Sequence, residues 1–365
     1  MSLNGNGTHV STIRPLKPGI YAPIPSFFLP ESEDLGQSLS LHASTASRSR
    51  RAHYLDIPSF ENHVVRVATA GVGPLLAGSM GEAIHLSHAE RVVLIKTARK
   101  ALDHAGLLNV PVITGIGAGS TRESIELANE AAAAGADYAI AITSGYFAGA
   151  LAGDRKALKA FFQEVSSKSP IPVIIYNYPG ASGGINLDSD LISELAIECP
   201  NTCGVKLTCG DVGKLTRVAA TVSDPMFSAL NPRTNKNAPF LVLGGFSDFL
   251  LPSAYSNGHG AITGLANVAP HSIVKLFELS EASMVDPSFL PEAQRLQGII
   301  GRADATIAKA SISGTKYLLQ KLYGYGGHPR RPLPPIDPVA GEALWEHSHT
   351  QALVHLEGEV GGKVR

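Results

Sequence analysis

The run Cys203-Gly204-Val205-Lys206-Leu207-Thr208-Cys209 sets a single lysine in a short apolar strand pattern and ends at the turn signal Gly210-Asp211. On a strand open to water such a lysine is a solvated charge. On a parallel strand buried on both faces, its ammonium has neither solvent nor partner. Burial disfavours the charged form and lowers the pKa, and the neutral amine is the nucleophile that adds to a carbonyl carbon. The pattern alone leaves both readings open. Strand alternation puts Thr208 on the same face as Lys206, with Leu207 opposite, which makes Thr208 a candidate substrate contact.

A second run, Ile174-Ile175-Tyr176-Asn177-Tyr178-Pro179-Gly180-Ala181-Ser182-Gly183, is a strand that passes into a Pro/Gly turn. Tyr176 falls at its C-terminal end. A phenol there serves either as a proton shuttle or as the cap of a core. A third run, Gly78-Ser79-Met80-Gly81-Glu82, follows another strand, and its glycines allow backbone N–H groups to turn toward an anion such as a carboxylate.

Positioning such groups calls for repeated βα units. From about Gly19 to Leu279, short β-branched runs alternate with helical patterns, the signature of a parallel sheet. The strand candidates are Ile20 to Phe27, Gly73 to Ala77, Pro111 to Thr114, Tyr138 to Ile142, Pro172 to Tyr176, Thr202 to Lys206, Phe240 to Leu243 and Gly260 to Thr263. Ser87 with Glu90 and Ser120 with Glu123 fit the capping box, and Gly71, Gly106 and Gly135 stand where helices should end. The expected fold is α/β, a (β/α)8 TIM barrel with additional C-terminal helices; an open doubly wound sheet is the alternative.

The expected organisation is an N-terminal arm (1–18), a barrel (19–283), C-terminal helices (284–328) and a tail (329–365). Apolar residues at helical spacing after Pro287, including Leu290, Leu296, Ile300, Ile312 and Leu318, mark the added helices, whereas the tail is proline-rich and then charged. A Ser, Arg and His-rich stretch, Gly36 to Leu55, interrupts the barrel pattern between the first strand and the first helix and reads as a mobile insert.

Composition narrows the function classes. A hydrophobic fraction of 44% and a charged fraction of 17% describe a globular chain with a large core, and a net charge of -1 offers no cationic face for nucleic acid or an acidic membrane. No apolar run approaches the ~20 residues of a membrane span. Three cysteines, Cys199, Cys203 and Cys209, are an odd number within one stretch, which fits a reducing compartment. The cytoplasm is the expected location, with a mitochondrial presequence as the alternative, since the acid-poor start carries Arg14 and Lys17.

Two other chemistries have partial signals. Pro111 to Ser120 imitates a dinucleotide fingerprint, but Ser120 replaces the third glycine, and Asp137 precedes its strand where a ribose-binding acid ends one. His85, His88, His347 and His349 could supply metal ligands, yet one pair straddles a helix start and the other lies in the tail. A non-catalytic binding protein on an enzyme scaffold is a third reading, against which stand the lysine and both tyrosines.

The runs above, with Ser144-Gly145-Tyr146, Gly244-Gly245 and Gly260-Ala261-Ile262-Thr263, resemble the dihydrodipicolinate synthase and N-acetylneuraminate lyase family of class I aldolases from about Pro18 to Leu279, the insert set aside. The resemblance implies a Schiff base on Lys206, a proton-relay Tyr176, Tyr146 in the active site, and a carboxylate-binding loop at Ser79 and Met80. It also implies substrate contacts at Gly245 and Ile262, no cofactor or metal, and a homotetramer whose neighbouring subunit completes the relay. Synthases of the family carry an arginine in the turn after the relay tyrosine, where this chain has Ala181. Lys206-Leu207-Thr208 and Ala181-Ser182-Gly183 are more similar to the sugar-acid lyases and to the 4-hydroxy-2-oxoglutarate or 2-keto-3-deoxy-sugar-acid aldolases, with Ser182 joining Thr208 as a hydroxyl contact. The expected reaction cleaves or forms a 4-hydroxy-2-oxo acid, with pyruvate and an aldehyde as the small-molecule partners. Condensation of pyruvate with aspartate semialdehyde is the alternative, if Arg233 or Lys236 fills the place of the absent arginine.

Overall fold

The computed structural model describes residues 13–29 and 54–361. Its strands are β1 (Gly19–Pro23), β2 (Gly73–Leu76), β3 (Ile113–Gly115), β4 (Tyr138–Ile142), β5 (Val173–Asn177), β6 (Thr202–Leu207), β7 (Leu241–Gly244) and β8 (Gly260–Ile262). They close in chain order into one parallel barrel, with β1 beside β8 through Gly19↔Gly260 and Tyr21↔Ile262. Closure excludes the open sheet. β1 stops at Pro23, short of Phe27, because Pro23 and Pro25 bring no N–H to a ladder.

Helices pack around the barrel: α1 (Ile57–Thr69), α2 (His88–His104), α3 (Thr121–Ala134), the short α4 (Ala148–Leu151), α5 (Arg155–Lys168), α6 (Ser189–Glu198), α7 (Val212–Val222), the short α8 (Phe227–Leu230) and α9 (Leu250–Ala254), and α10 (Pro270–Val285). Ser87 and Glu90 close the full capping box on α2, while Ser120 accepts the Glu123 N–H at the start of α3. Gly71, Gly106 and Gly135 follow α1, α2 and α3 in left-handed backbone.

Two apolar layers result from the strand alternation. Tyr21, Leu75, Ile113, Tyr138, Ile140, Ile174, Leu241, Leu243 and Ile262 fill the barrel interior, while residues such as Ala22, Leu76, Val205 and Val242 face the helices. The arm closes the floor: the Tyr138 hydroxyl donates to the Arg14 carbonyl at 2.6 Å and the Tyr21 hydroxyl to that of Lys17 at 2.7 Å.

Beyond the barrel, α11 (Leu290–Lys309) and α12 (Ser311–Tyr323) are the added helices. The stretch read as a tail holds two more, α13 (Pro338–Glu346) and α14 (Ser348–Gly361). Asp337 caps α13 by accepting from Val339 and Ala340, and α14 packs on α10 and α11 through buried Leu353 and Leu356. Proline content obscured this apolar spacing. Most of the insert, residues 36–53, lies outside the described residues; its last residue, Leu55, is buried and bridges Phe28.

Candidate active site

Register brings the central pair together. Across β5, β6 and β7, Tyr176 pairs with Lys206 and Lys206 with Leu243. Val173 pairs with Thr202 but Ile174 with Gly204, so β6 carries one extra residue, Cys203, a bulge that sets the aim of the strand beyond it. The Lys206 amine then lies 4.3 Å from the centre of the Tyr176 ring. Lys206 is 5% exposed, and burial alone, with no carboxylate to oppose it, pulls its pKa down to about 7. A lysine in water is neutral at pH 7 in only about one molecule in a thousand or fewer; here about half would be.

Burial also pushes the Tyr176 phenol above its ordinary range, against the opposing effect of the Ser79 and Thr208 hydroxyls that face it. Tyr178 stacks on the Tyr176 ring, with centroids 5.7 Å apart and planes at 24°. Thr208 is 9% exposed and its buried hydroxyl oxygen has no hydrogen-bond partner of good geometry, so the weak contact to Tyr176 leaves it free to meet a substrate hydroxyl.

The loop after β2 turns tightly, with Ala77 (φ 46°) and Glu82 (φ 54°) in left-handed backbone without being glycine. Glu82 N–H donates to the Ser79 carbonyl and Ala83 N–H to that of Gly78, while no acceptor among the described residues takes the Ser79 or Met80 N–H. Two donors are thus left for an anion. The Met80 side chain reaches across toward Gly264, beyond β8.

Gly245 N–H donates to Leu207 O, and a Cβ at this position would lie 2.2 Å from the Thr208 hydroxyl oxygen, so only glycine lets the end of β7 approach Thr208. Ile262 is fully buried among the interior residues below the site. Two expected contacts fall elsewhere. Ser182 is fully buried, and its hydroxyl bonds the carbonyls of Tyr178 at 2.8 Å and Ile185 at 3.1 Å; it ties the turn rather than facing a ligand. Tyr146 is 89% exposed, its ring edge-on to Phe147, outside the cluster around Lys206.

Arg233 and Lys236 do not replace the missing arginine. Arg233 bonds the carbonyls of Cys199 and Thr202, before and at the start of β6, and Lys236 precedes Asn237, whose carbonyl accepts from the floor residues Leu16 and Tyr138. Both belong to the opposite end of the barrel. The glycine-rich run after β3 serves packing: a Cβ on Gly115 would lie 2.0 Å from Ala77 O and one on Gly117 2.4 Å from Ile142. Asp137 accepts from the backbone of Arg14 and Val112 at the floor. Among the described residues no His, Cys, Asp and Glu gather into a metal-holding group; His85 faces Glu82 and His88 faces Glu130.

Sequence reasoning passed over a buried polar cluster behind the loop after β2. Glu82 Oε1 accepts from Lys316 Nζ of α12 at 2.6 Å, with both side chains fully buried. Glu82 Oε2 accepts from Arg330 N–H at 2.8 Å, and the Arg330 guanidinium bonds Glu90 through both oxygens. Burial pushes Glu90 up, but Arg330 and Ser87 outweigh it and leave the carboxyl below its ordinary value. The one signal was Lys316 itself, three residues before Leu319 on the apolar face of α12. A second cluster holds the loop after β7, where Asp304 of α11 accepts from Ser247 N–H at 2.7 Å and its hydroxyl at 2.8 Å.

Residues 61–347 match the model of the dihydrodipicolinate synthetase family. The chain is 42% identical over 342 residues to an L-threo-3-deoxy-hexylosonate aldolase of Aspergillus niger, covering 91% of this chain and 94% of that protein. It is 40% identical over 331 residues to a protein of Emericella nidulans named "Probable 4-hydroxy-2-oxoglutarate aldolase, mitochondrial", covering 90% and 93%. A crystal structure of a dihydrodipicolinate synthase family protein from Coccidioides immitis superposes with a TM-score of 0.72 at 33% identity, covering 96% of this chain and 99% of that one.

Proposed function

The chain belongs to the dihydrodipicolinate synthetase family, and we propose that it is the member that cleaves or forms a 3-deoxy-2-oxo sugar acid through a Schiff base on Lys206, with pyruvate and an uncharged hydroxyaldehyde as the halves. The observation that carries this reading is the buried, unpaired Lys206 amine beside the Tyr176 ring. As a neutral amine it adds to the C2 ketone, and loss of water gives an iminium that draws electrons as the C3–C4 bond breaks. Tyr176 relays the C4 hydroxyl proton: it takes that proton as its own passes to the facing Ser79 or Thr208 hydroxyl, which hands its own proton on to water, and the same relay run in reverse returns a proton for C3 of the enamine. The aldehyde leaves, the remaining enamine is protonated at C3, and water releases pyruvate and the free amine. The Ser79 and Met80 N–H groups hold the C1 carboxylate and so orient the ketone.

Charge selects the aldehyde half. None of the loops 77–87, 116–120, 143–154, 178–188, 208–211, 245–249 and 263–269, which follow β2 to β8 at the mouth, carries a lysine or arginine. Arg91, Lys214 and Arg330 reach these loops from outside but bond the Gly115 and Ala83 carbonyls, Asn186 and Glu90, so a second carboxylate would find no bidentate cation in these described loops. This favours an uncharged aldehyde over 4-hydroxy-2-oxoglutarate, whose aldehyde half is a carboxylate; that second reading is supported by the name of the Emericella relative. Pyruvate release from a panel of both kinds of acid tests the order, and aspartate semialdehyde turnover matching the best 3-deoxy sugar acid would overturn it.

We also propose a homotetramer, in which a neighbouring copy covers Tyr146 and Phe147, now 89% and 65% exposed beside the mouth. Sedimentation at micromolar concentration checks it, and a monomer would contradict it. No helix among the described residues is long and apolar enough to cross a membrane. The cysteine usage supports a cytoplasmic location and the relative's label a mitochondrial one; fractionation of the source cells distinguishes them.

A further inference from the structure

We propose that Lys316 is a positioning residue for the carboxylate loop, and that the helices beyond the barrel are therefore a working part of the active site. The inference rests on the reading of Ser79 and Met80 as carboxylate donors. That loop makes a turn in which two non-glycine residues, Ala77 and Glu82, take left-handed backbone, a conformation that persists only where the surroundings impose it. Two of the three groups that meet the Glu82 carboxylate come from the far end of the chain. Its carboxylate meets Lys316 Nζ at 2.6 Å, Arg330 N–H at 2.8 Å and His85 Nδ1 at 3.1 Å. Lys316 in turn donates to the His328 carbonyl at 2.9 Å, and its amine and the Arg330 guanidinium lie 4.4 and 4.2 Å from the Phe28 ring centre, on the loop after β1.

The same C-terminal unit reaches the next loops around the barrel. Asp304 and Gln297 of α11 bind Ser247 after β7, whose hydroxyl lies 3.3 Å from that of Thr263 after β8. The loops of β7, β8, β1 and β2 are consecutive in the closed barrel, so one helical unit braces half of the mouth. Of its contacts, the Lys316–Glu82 pair touches the carboxylate loop directly. A fully buried carboxylate that loses its cation moves toward solvent or takes up a proton, and either displaces the backbone carrying the Ser79 and Met80 N–H groups.

A merely stabilising pair would change melting and leave substrate preference alone. The test compares pyruvate with pyruvamide, which lacks the carboxylate charge, by borohydride trapping on Lys206 as a function of concentration. In Lys316→Met the pyruvate concentration for half-trapping should rise about tenfold or more, the scale of one lost charge-assisted hydrogen bond, while trapping by pyruvamide and the rate at saturation change little. The double variant E82Q/K316M removes both buried charges, restoring solubility if the single variant misfolds, and should show the same loss of preference for pyruvate. In the parent protein, saturating pyruvate should slow hydrogen exchange in the peptide containing Arg330, whose amide is bonded to Glu82. Parent-like pyruvate preference in either soluble variant, or exchange protection confined to residues 77–83, would overturn the proposal. If pyruvate fails to trap Lys206 in the parent, the Schiff-base reading itself fails.

Discussion

Tyr176→Phe separates imine formation from bond cleavage. The substitution keeps the ring, and with it the 4.3 Å contact to the Lys206 amine and the stack on Tyr178. Only the hydroxyl is lost, and with it the contact to the Ser79 hydroxyl and the weak one to Thr208, at a cost of about 1 kcal/mol to folding. Because burial alone depresses the Lys206 pKa, the amine stays poised near 7 in the variant. Trapping with pyruvate and borohydride should therefore keep both its extent and its acid limb. Cleavage loses its proton relay, and single-turnover release of pyruvate from a 3-deoxy-2-oxo sugar acid should slow by about 100-fold or more, equivalent to about 2.7 kcal/mol of barrier. Cleavage within about threefold of the parent would remove Tyr176 from the mechanism, and equal loss of trapping and cleavage in a normally melting variant would move its role back to imine formation.

The pH dependence of imine formation should show an acid limb near pH 7, because Lys206 must be neutral to attack; a limb near 10 would mean the amine is solvated. Gly245→Ala places a methyl against Thr208, whose hydroxyl oxygen lies 2.2 Å from the new Cβ, and should reduce kcat/KM by about tenfold or more on the clash expected of overpacking; unchanged kinetics would show that the end of β7 yields freely. Burial raises the Asp304 carboxyl from 3.8 to about 6, so the native state binds more protons than the unfolded chain between those values and stability falls as pH rises through that window, by about 3 kcal/mol at most. Asp304→Asn should flatten the change in Tm between pH 4 and 6.5, and an undiminished pH slope would place the titrating group elsewhere.

Local rules account for what the sequence discloses. The βα repeat, the Ser87 capping box and the glycines after α1 to α3 act within a few residues, so the barrel and the strand ends carrying Lys206 and Tyr176 are readable from spacing. Thr208 follows from strand alternation, and Ala181 stands alone in its turn because Arg233 folds to the floor. The extra residue Cys203 leaves no periodic trace, since a bulge is defined only by the partner strand. Ser182 was misplaced for a related reason: a hydroxyl in a turn bonds nearby carbonyls as readily as it meets a ligand, and composition does not say which. Glu82 and Lys316 are 234 residues apart, and their pairing arises from α12 docking against the loop after β2, a tertiary event that neither sequence run contains.

The central claim is that one amine, on Lys206, forms the imine. The protein incubated with pyruvate and reduced with borohydride, then digested and sequenced by mass spectrometry, should carry the reduced adduct on the peptide containing Lys206 at one equivalent per chain. Lys214 and Lys316, the other buried lysines among the described residues, are held by Asn186 and Glu82 and should stay unmodified. An adduct on either of them, or no adduct at saturating pyruvate, would contradict the account.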